Sequence, residues 1–163
     1  FGKTRTAETS ESVLAEAAEV EVEAVAEQET HDTIQVTYPK ALAALNRWEK
    51  GEFQYGDKDC VAFTVFMIKE LHGIDYSHEL IYATKEQADE MIRASGGFEN
   101  LIDSVLGEPS EVALHGHPVM FNYPRSGLTM GVKLNDSIVC VTKKGLTRVP
   151  ERHIVRSWIC QQP

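Results

Sequence analysis

The chain has 163 residues, enough for one domain with its own core and too few for two large ones. Its 42% hydrophobic and 25% charged residues make an ordinary globular composition, and no apolar stretch approaches the ~20 residues that cross a bilayer as a helix. The net charge of -9 is concentrated: residues 1–33 hold nine acids against Lys3 and Arg5, so the remaining 130 residues are nearly balanced at -2, which excludes the basic footprint of a nucleic-acid binder.

Residues 1–37 read as an acidic arm and linker. Ser10 is a suitable N-cap for a Glu/Ala/Val helix from about Glu11 to Glu29, with Leu14, Ala18, Val22 and Val25 as one narrow apolar stripe. Its other face is almost wholly Glu, and that self-repulsion makes the helix marginal alone. The composition fits an acidic disordered tail as well as an arm that orders against a partner subunit. A short strand at Ile34-Gln35-Val36 fits the linker. The start at Phe1 rather than Met fits a processed or a truncated product.

Residues 38–163 form the expected domain. Pro39 opens a helix whose buried face is Ala41, Leu45 and Trp48 and which ends at Gly51. The next helix runs from about Asp59 to His72 and stops at Gly73. It is apolar nearly all round (Val61, Phe63, Val65, Met67, Ile68, Leu71), the mark of a helix buried on most sides. Thr84 caps a third helix, with Gln87 in capping-box spacing, that ends at Gly96-Gly97. A short fourth follows from Phe98 to Leu106. After Pro109 the pattern turns to strands: Val112–Leu114, Val119–Asn122, Leu128–Leu134, Ser137–Thr142, Thr147–Val149 and Val155–Ile159. Asn135-Asp136 and Lys143-Lys144-Gly145 supply hairpin turns. Helices first and meandering strands second predict an α+β fold with helices packed on an antiparallel sheet.

Cys60 is the chemically informative residue. A thiol in the first turn of a buried helix faces the positive end of the helix dipole, an environment that produces nucleophiles. A packed, inert thiol fits the same position. Asp59 fits a helix-start residue stabilised by that dipole, and Trp48 and Trp158 fit core or interface aromatics. The three cysteines, Cys60, Cys140 and Cys160, are too few and odd in number for a disulfide framework. His115 and His117, 55 and 57 residues after Cys60, are the candidate bases. His-Gly-His offers two metal ligands with no clear third, short of a zinc site, and no cofactor or metal is expected.

From Trp48 to Cys160 a set of short motifs occurs in order: Gln54-Tyr55-Gly56-Asp57-Lys58-Asp59-Cys60, Leu71-His72-Gly73-Ile74-Asp75, Tyr82-Ala83-Thr84, Gly96-Gly97-Phe98, Gly116-His117-Pro118-Val119-Met120-Phe121, Leu128-Thr129-Met130-Gly131-Val132, Gly145-Leu146 and Trp158. Together they resemble the papain-like, NlpC-type cysteine peptidase superfamily, and more closely its phage- and prophage-encoded branch. The resemblance implies a papain-like α+β fold with Cys60 as nucleophile. It places the strand histidine of active relatives at Thr129 and a third polar partner near Cys140 or Val141. Neither position carries an imidazole, and Thr cannot act as general base.

The resulting expectation is a phage virion structural protein, capsid- or tail-associated, on a catalytically incomplete papain-like domain. Its acidic arm would dock on other phage structural proteins in an oligomeric assembly, in a virion assembled in the host cytoplasm, with no nucleic-acid or membrane partner. The alternative is an active cysteine hydrolase, an amidase or endopeptidase acting on peptidoglycan, with Cys60 attacking and His115 or His117 as base.

Overall fold

The computed structural model describes residues 36–48 and 52–160. The expected acidic helix, Ile34 and Gln35 of the expected strand Ile34-Gln35-Val36, and the stop at Gly51 lie outside the described residues; Val36 itself is in no strand. Helix α1 (Tyr38–Arg47) starts where Thr37 Oγ1 accepts the Lys40 N–H at 3.3 Å, with Pro39 in the first turn. It buries Ala41 and Ala44 and closes at Trp48, three residues before Gly51. The small alanines let α1 approach its neighbour closely, while Leu45 and Trp48 pack at the margin of that contact.

Helix α2 (Cys60–His72) is capped by Asp59, whose Oδ1 accepts the Ala62 N–H at 2.8 Å, and is ended by Gly73 at φ 76. The left-handed conformation there favours glycine. A 3-10 turn (Ser77–Glu79) leads to α3 (Lys85–Ser95). Its cap is reciprocal: Thr84 Oγ1 accepts from the Gln87 N–H and Gln87 Oε1 accepts from the Ala83 N–H. Gly96 ends α3, and α4 (Phe98–Leu106) follows, burying Leu101 and Ile102.

Five strands complete the domain: β1 (Pro118–Tyr123), β2 (Gly127–Leu134), β3 (Ser137–Thr142), β4 (Gly145–Pro150) and β5 (Ile154–Ser157). They form one antiparallel sheet in the order β4-β3-β2-β1-β5. The chain is α+β, four helices against this sheet among the described residues. The run Val112–Leu114 is not a strand. Ser110 Oγ accepts the Val112 N–H and bends the backbone, so that Ser110 alone bridges Ser157.

Period-two alternation divides the core. Phe63, Met67 and Leu71 of α2 pack on Val132, Leu134, Val139 and Val141 of the helix-facing side, and Met120, Met130, Trp158 and Ile102 extend that layer. Each large side chain so buried stabilises by about 1.5–3 kcal/mol. Val119, Phe121, Ile138, Cys140 and Val149 occupy the other face. That face is buried because the sheet curls. Edge strands β4 and β5 would stand about 19 Å apart if flat, yet only Glu151–His153 separate Pro150 from Ile154, a reach of at most ~14 Å. A bulge between Met120 and Phe121 bends β1 in the same region.

Candidate functional site

The site begins with a split in the sheet. Lys133 donates its N–H to His117 O (3.1 Å) and accepts from the Gly116 N–H, so Lys133 and its odd-numbered neighbours in β2 turn their backbone polar groups toward β1. Met130, Val132 and Leu134 therefore turn theirs toward β3. The β2–β3 ladder ends at Val132↔Val139, although β2 runs back to Gly127 and β3 continues to Thr142. Gly131 stands where the strands part; a Cβ there would lie 2.8 Å from both Val139 O and Ile138 Cγ2, so only glycine fits.

The N-terminus of α2 sits against this split. The Met130 N–H, freed from the ladder, is directed at the Cys60 sulfur, joined by the N–H groups of Cys60 and Val61. These donors favour a thiolate. Burial outweighs them, the Asp59 charge adds to it, and the thiol is pushed up to about 12. Asp59 is itself fully engaged. Besides the cap, its Oδ2 accepts from the Gly56 N–H at 2.8 Å and from the Tyr82 hydroxyl at 2.6 Å. Burial, then the Asp59 carboxylate, raises the Tyr82 phenol. Gly56 is held at φ 83 with its Cα face almost on the Tyr82 carbonyl; a Cβ would sit 1.9 Å from that oxygen. Asp59 thus welds the loop before α2 to the segment before α3, with both carboxylate oxygens accepting hydrogen bonds.

Over the thiol lies a cleft of about 890 Å³, lined by Cys60, Thr129, Tyr55, Tyr82, Phe98 and Lys143 among others. Among the described residues, no histidine lines it. Thr129 is buried at its wall, with Oγ1 donating back to Gly127 O at 3.0 Å. Cys140, near the expected third position, is fully buried on the far sheet face, and burial pushes its thiol up to about 12.

The candidate bases are not in this cleft. His117 stacks against His72 with ring centroids 4.3 Å apart. His72 closes α2, and thirteen residues of helix put it about 18 Å from Cys60 at 1.5 Å rise per residue. His115 lies beside Tyr38, and its Nδ1 accepts the Asn135 N–H at 2.9 Å. Strand β1 enters the sheet from the end remote from Cys60, so neither histidine reaches the thiol, despite a plausible spacing in sequence.

His117, without His115, instead joins a cluster that the sequence did not disclose. Candidate ligand atoms of His72, His117 and Cys160 lie within 4.8 Å of one another, all buried. His72 Nε2 donates to Gly116 O at 2.8 Å, which leaves its lone pair on Nδ1. His117 Nδ1 accepts the Cys160 N–H at 3.0 Å, which leaves the proton on Nε2. The trio therefore offers two lone-pair donors rather than three, and falls short of a zinc site in this geometry. It pins the end of α2, the start of β1 and the segment after β5 together. Asp103 makes a second such tie, accepting from Arg156 (2.6 Å) and from Trp158 Nε1 (3.0 Å).

No curated protein matches the chain. A family model described as "Domain of unknown function (DUF6950)" matches residues 35–160, so the described fold coincides with the family's extent, and the chain belongs to that family.

Proposed function

We propose that the chain is a phage virion structural protein built on a catalytically incomplete papain-like domain. The observation that carries the catalytic half of this reading is the cleft itself: it holds Cys60 with its thiol pushed up to about 12 and, among the described residues, no imidazole, with Thr129 at the position where the resemblance would put the histidine of active relatives. Amide attack needs a thiolate and a group to protonate the leaving amine. Neither is provided, and Asp59 is committed to structural hydrogen bonds. The motif order from Trp48 to Cys160 supports the papain-like and phage assignment. The retained cleft, with its aromatic wall, supports a role in binding rather than turnover.

Two measurements test it. Mass spectrometry of purified particles should find the chain in stoichiometric amount; its absence would sink the virion assignment. Purified protein should leave peptidoglycan and its stem peptides intact, indistinguishably from Cys60→Ala. Cleavage abolished by Cys60→Ala would establish instead the cysteine hydrolase, an amidase or endopeptidase.

A further inference from the structure

The cleft over Cys60 does not stop at the thiol. A second hollow of about 280 Å³ shares Phe53, Val141, Thr142 and Lys144 with it, so the two form one continuous groove along the open edge of β3. The groove is charged differently from the rest of the domain. Five cations line it (Lys58, Lys85, Arg125, Lys143 and Lys144) against the carboxylates of Asp59 and Asp89. Asp59 is spent on its three hydrogen bonds, and Asp89 is paired with Lys85 at 2.8 Å. Arg125, Lys143 and Lys144 form no ion pair among the described residues; Lys143 rests over the Phe53 ring at 5.9 Å. Between these cations the walls are apolar and aromatic. Val141 turns its N–H and C=O toward β2 beyond the last ladder pair, Val132↔Val139. A groove with a cationic rim, aromatic walls and a strand edge suits an extended acidic polypeptide that alternates acids with aliphatic residues.

The same chain contains such a segment. Residues 1–33 hold nine acids against two cations, and within the stretch whose helix is marginal alone, Glu19-Val20-Glu21-Val22-Glu23 also alternates with the period of a strand. We propose that the groove of one copy receives the Glu19–Glu23 segment of a second copy, with the acids on Arg125, Lys143 and Lys144 and the valines on the aromatic wall. The proposal rests on the reading that the cleft binds rather than turns over. It gives that reading a definite partner.

The test uses the full chain, by light scattering and native mass spectrometry across concentration. The wild type should assemble beyond a monomer at 50 mM salt and weaken by 500 mM, since exposed charge pairs are screened. The triple variant R125E/K143E/K144E, altered only at exposed positions, should raise the dissociation constant at least tenfold. Adding E19K/E21K/E23K to that triple should restore assembly, which no loss of folding would mimic. A chain that is monomeric at every concentration, an assembly indifferent to the triple, or a failed restoration overturns the proposal. So does a groove that prefers single-stranded nucleic acid, measured with a fluorescent oligonucleotide. None of these outcomes touches thiol reactivity or peptidoglycan cleavage, so the catalytic reading stands or falls separately.

Discussion

The Met130 N–H points at the sulfur of Cys60 rather than at a carbonyl of β3. One backbone donor thus links the opening of the sheet to the first turn of α2. The link supplies geometry without activation. An N–H dipole favours a thiolate, but no imidazole lines the cleft among the described residues, and desolvation of the sulfur decides the outcome.

Slow thiol chemistry follows. A thiol moved from 9.0 to about 12 has roughly 1000-fold less thiolate at pH 7, and the greater nucleophilicity of a more basic sulfur returns about 20- to 30-fold of that. Cys60 should therefore alkylate with iodoacetamide about 30- to 100-fold more slowly than an unperturbed cysteine. Its rate should keep rising with pH through pH 10. Cys140 and Cys160, also pushed up to about 12 and buried away from the cleft, should lag behind it. Peptide-resolved mass spectrometry of a time course reads all three. A fast, pH-independent Cys60 would overturn the electrostatics described above.

Asp59 should matter for stability far more than for chemistry. Asp59→Ala removes the cap on Ala62, the acceptor of the Gly56 N–H and the partner of the buried Tyr82 hydroxyl. A lost cap costs about 1 kcal/mol and a stranded buried donor about 1–3 kcal/mol, so urea unfolding should show a loss of about 3 kcal/mol. Tyr82→Phe should cost only about 1 kcal/mol, because the carboxylate keeps both backbone donors. Equal losses for the two variants would show that the carboxylate does not organise both segments.

Much of this was legible in the chain and some was not, for physical reasons. The Asp59–Gly73 helix, the Thr84 cap, the Gly96-Gly97 stop and both hairpin turns are local, written in adjacent residues. Val112–Leu114 has the right residue types for a strand, but the Ser110 hydroxyl diverts its backbone. The curl of the sheet and the β2–β3 split are tertiary. Only Gly131, a glycine inside a strand pattern, signalled a close approach there. The cluster of His72, His117 and Cys160 joins three distant parts of the chain, and nothing in their spacing announces it. The same folding that gathers them carries His117 away from Cys60.

The Asp103 carboxylate should behave as a tether. Arg156, then Trp158, hold it below the usual carboxylate range by hydrogen bonding. The lowered value means the tie contributes in full above the ordinary carboxylate range, and that contribution is lost as pH falls from there through the lowered folded value. Asp103→Asn breaks the charge pair while keeping the shape. With side chains 24–29% exposed, the solvent-screened loss should be about 1 kcal/mol by chemical denaturation. Asp103→Leu should cost more, since it also strands the indole N–H of the buried Trp158.

Mild acid should loosen the remote end of α2 before it affects the cleft. Burial depresses His72 and, to about 3, His117; Lys40 faces the first, and His72 and His115 face the second. A histidine whose folded value lies below its unfolded ~6.5 binds its proton more readily when unfolded. Stability is therefore complete above about pH 6.5 and declines as pH falls toward 3. Charging both rings would also set two cations about 4.3 Å apart. Between pH 7 and 5 the wild type should lose on the order of 2 kcal/mol through His117 alone, with His72 adding in the same direction, and carboxylates such as Asp103 contribute only below that window. His117→Gln, whose amide oxygen retains an acceptor for the Cys160 N–H, should remove that ~2 kcal/mol from the pH profile even if it lowers stability at pH 7. Hydrogen exchange should report the early opening at the Gly116 and Cys160 amides, with the Ala62 and Phe63 amides still protected. A wild-type stability that stays level from pH 7 to 5 would mean that the two rings share a proton without strain, and that the buried knot is not the acid-labile element.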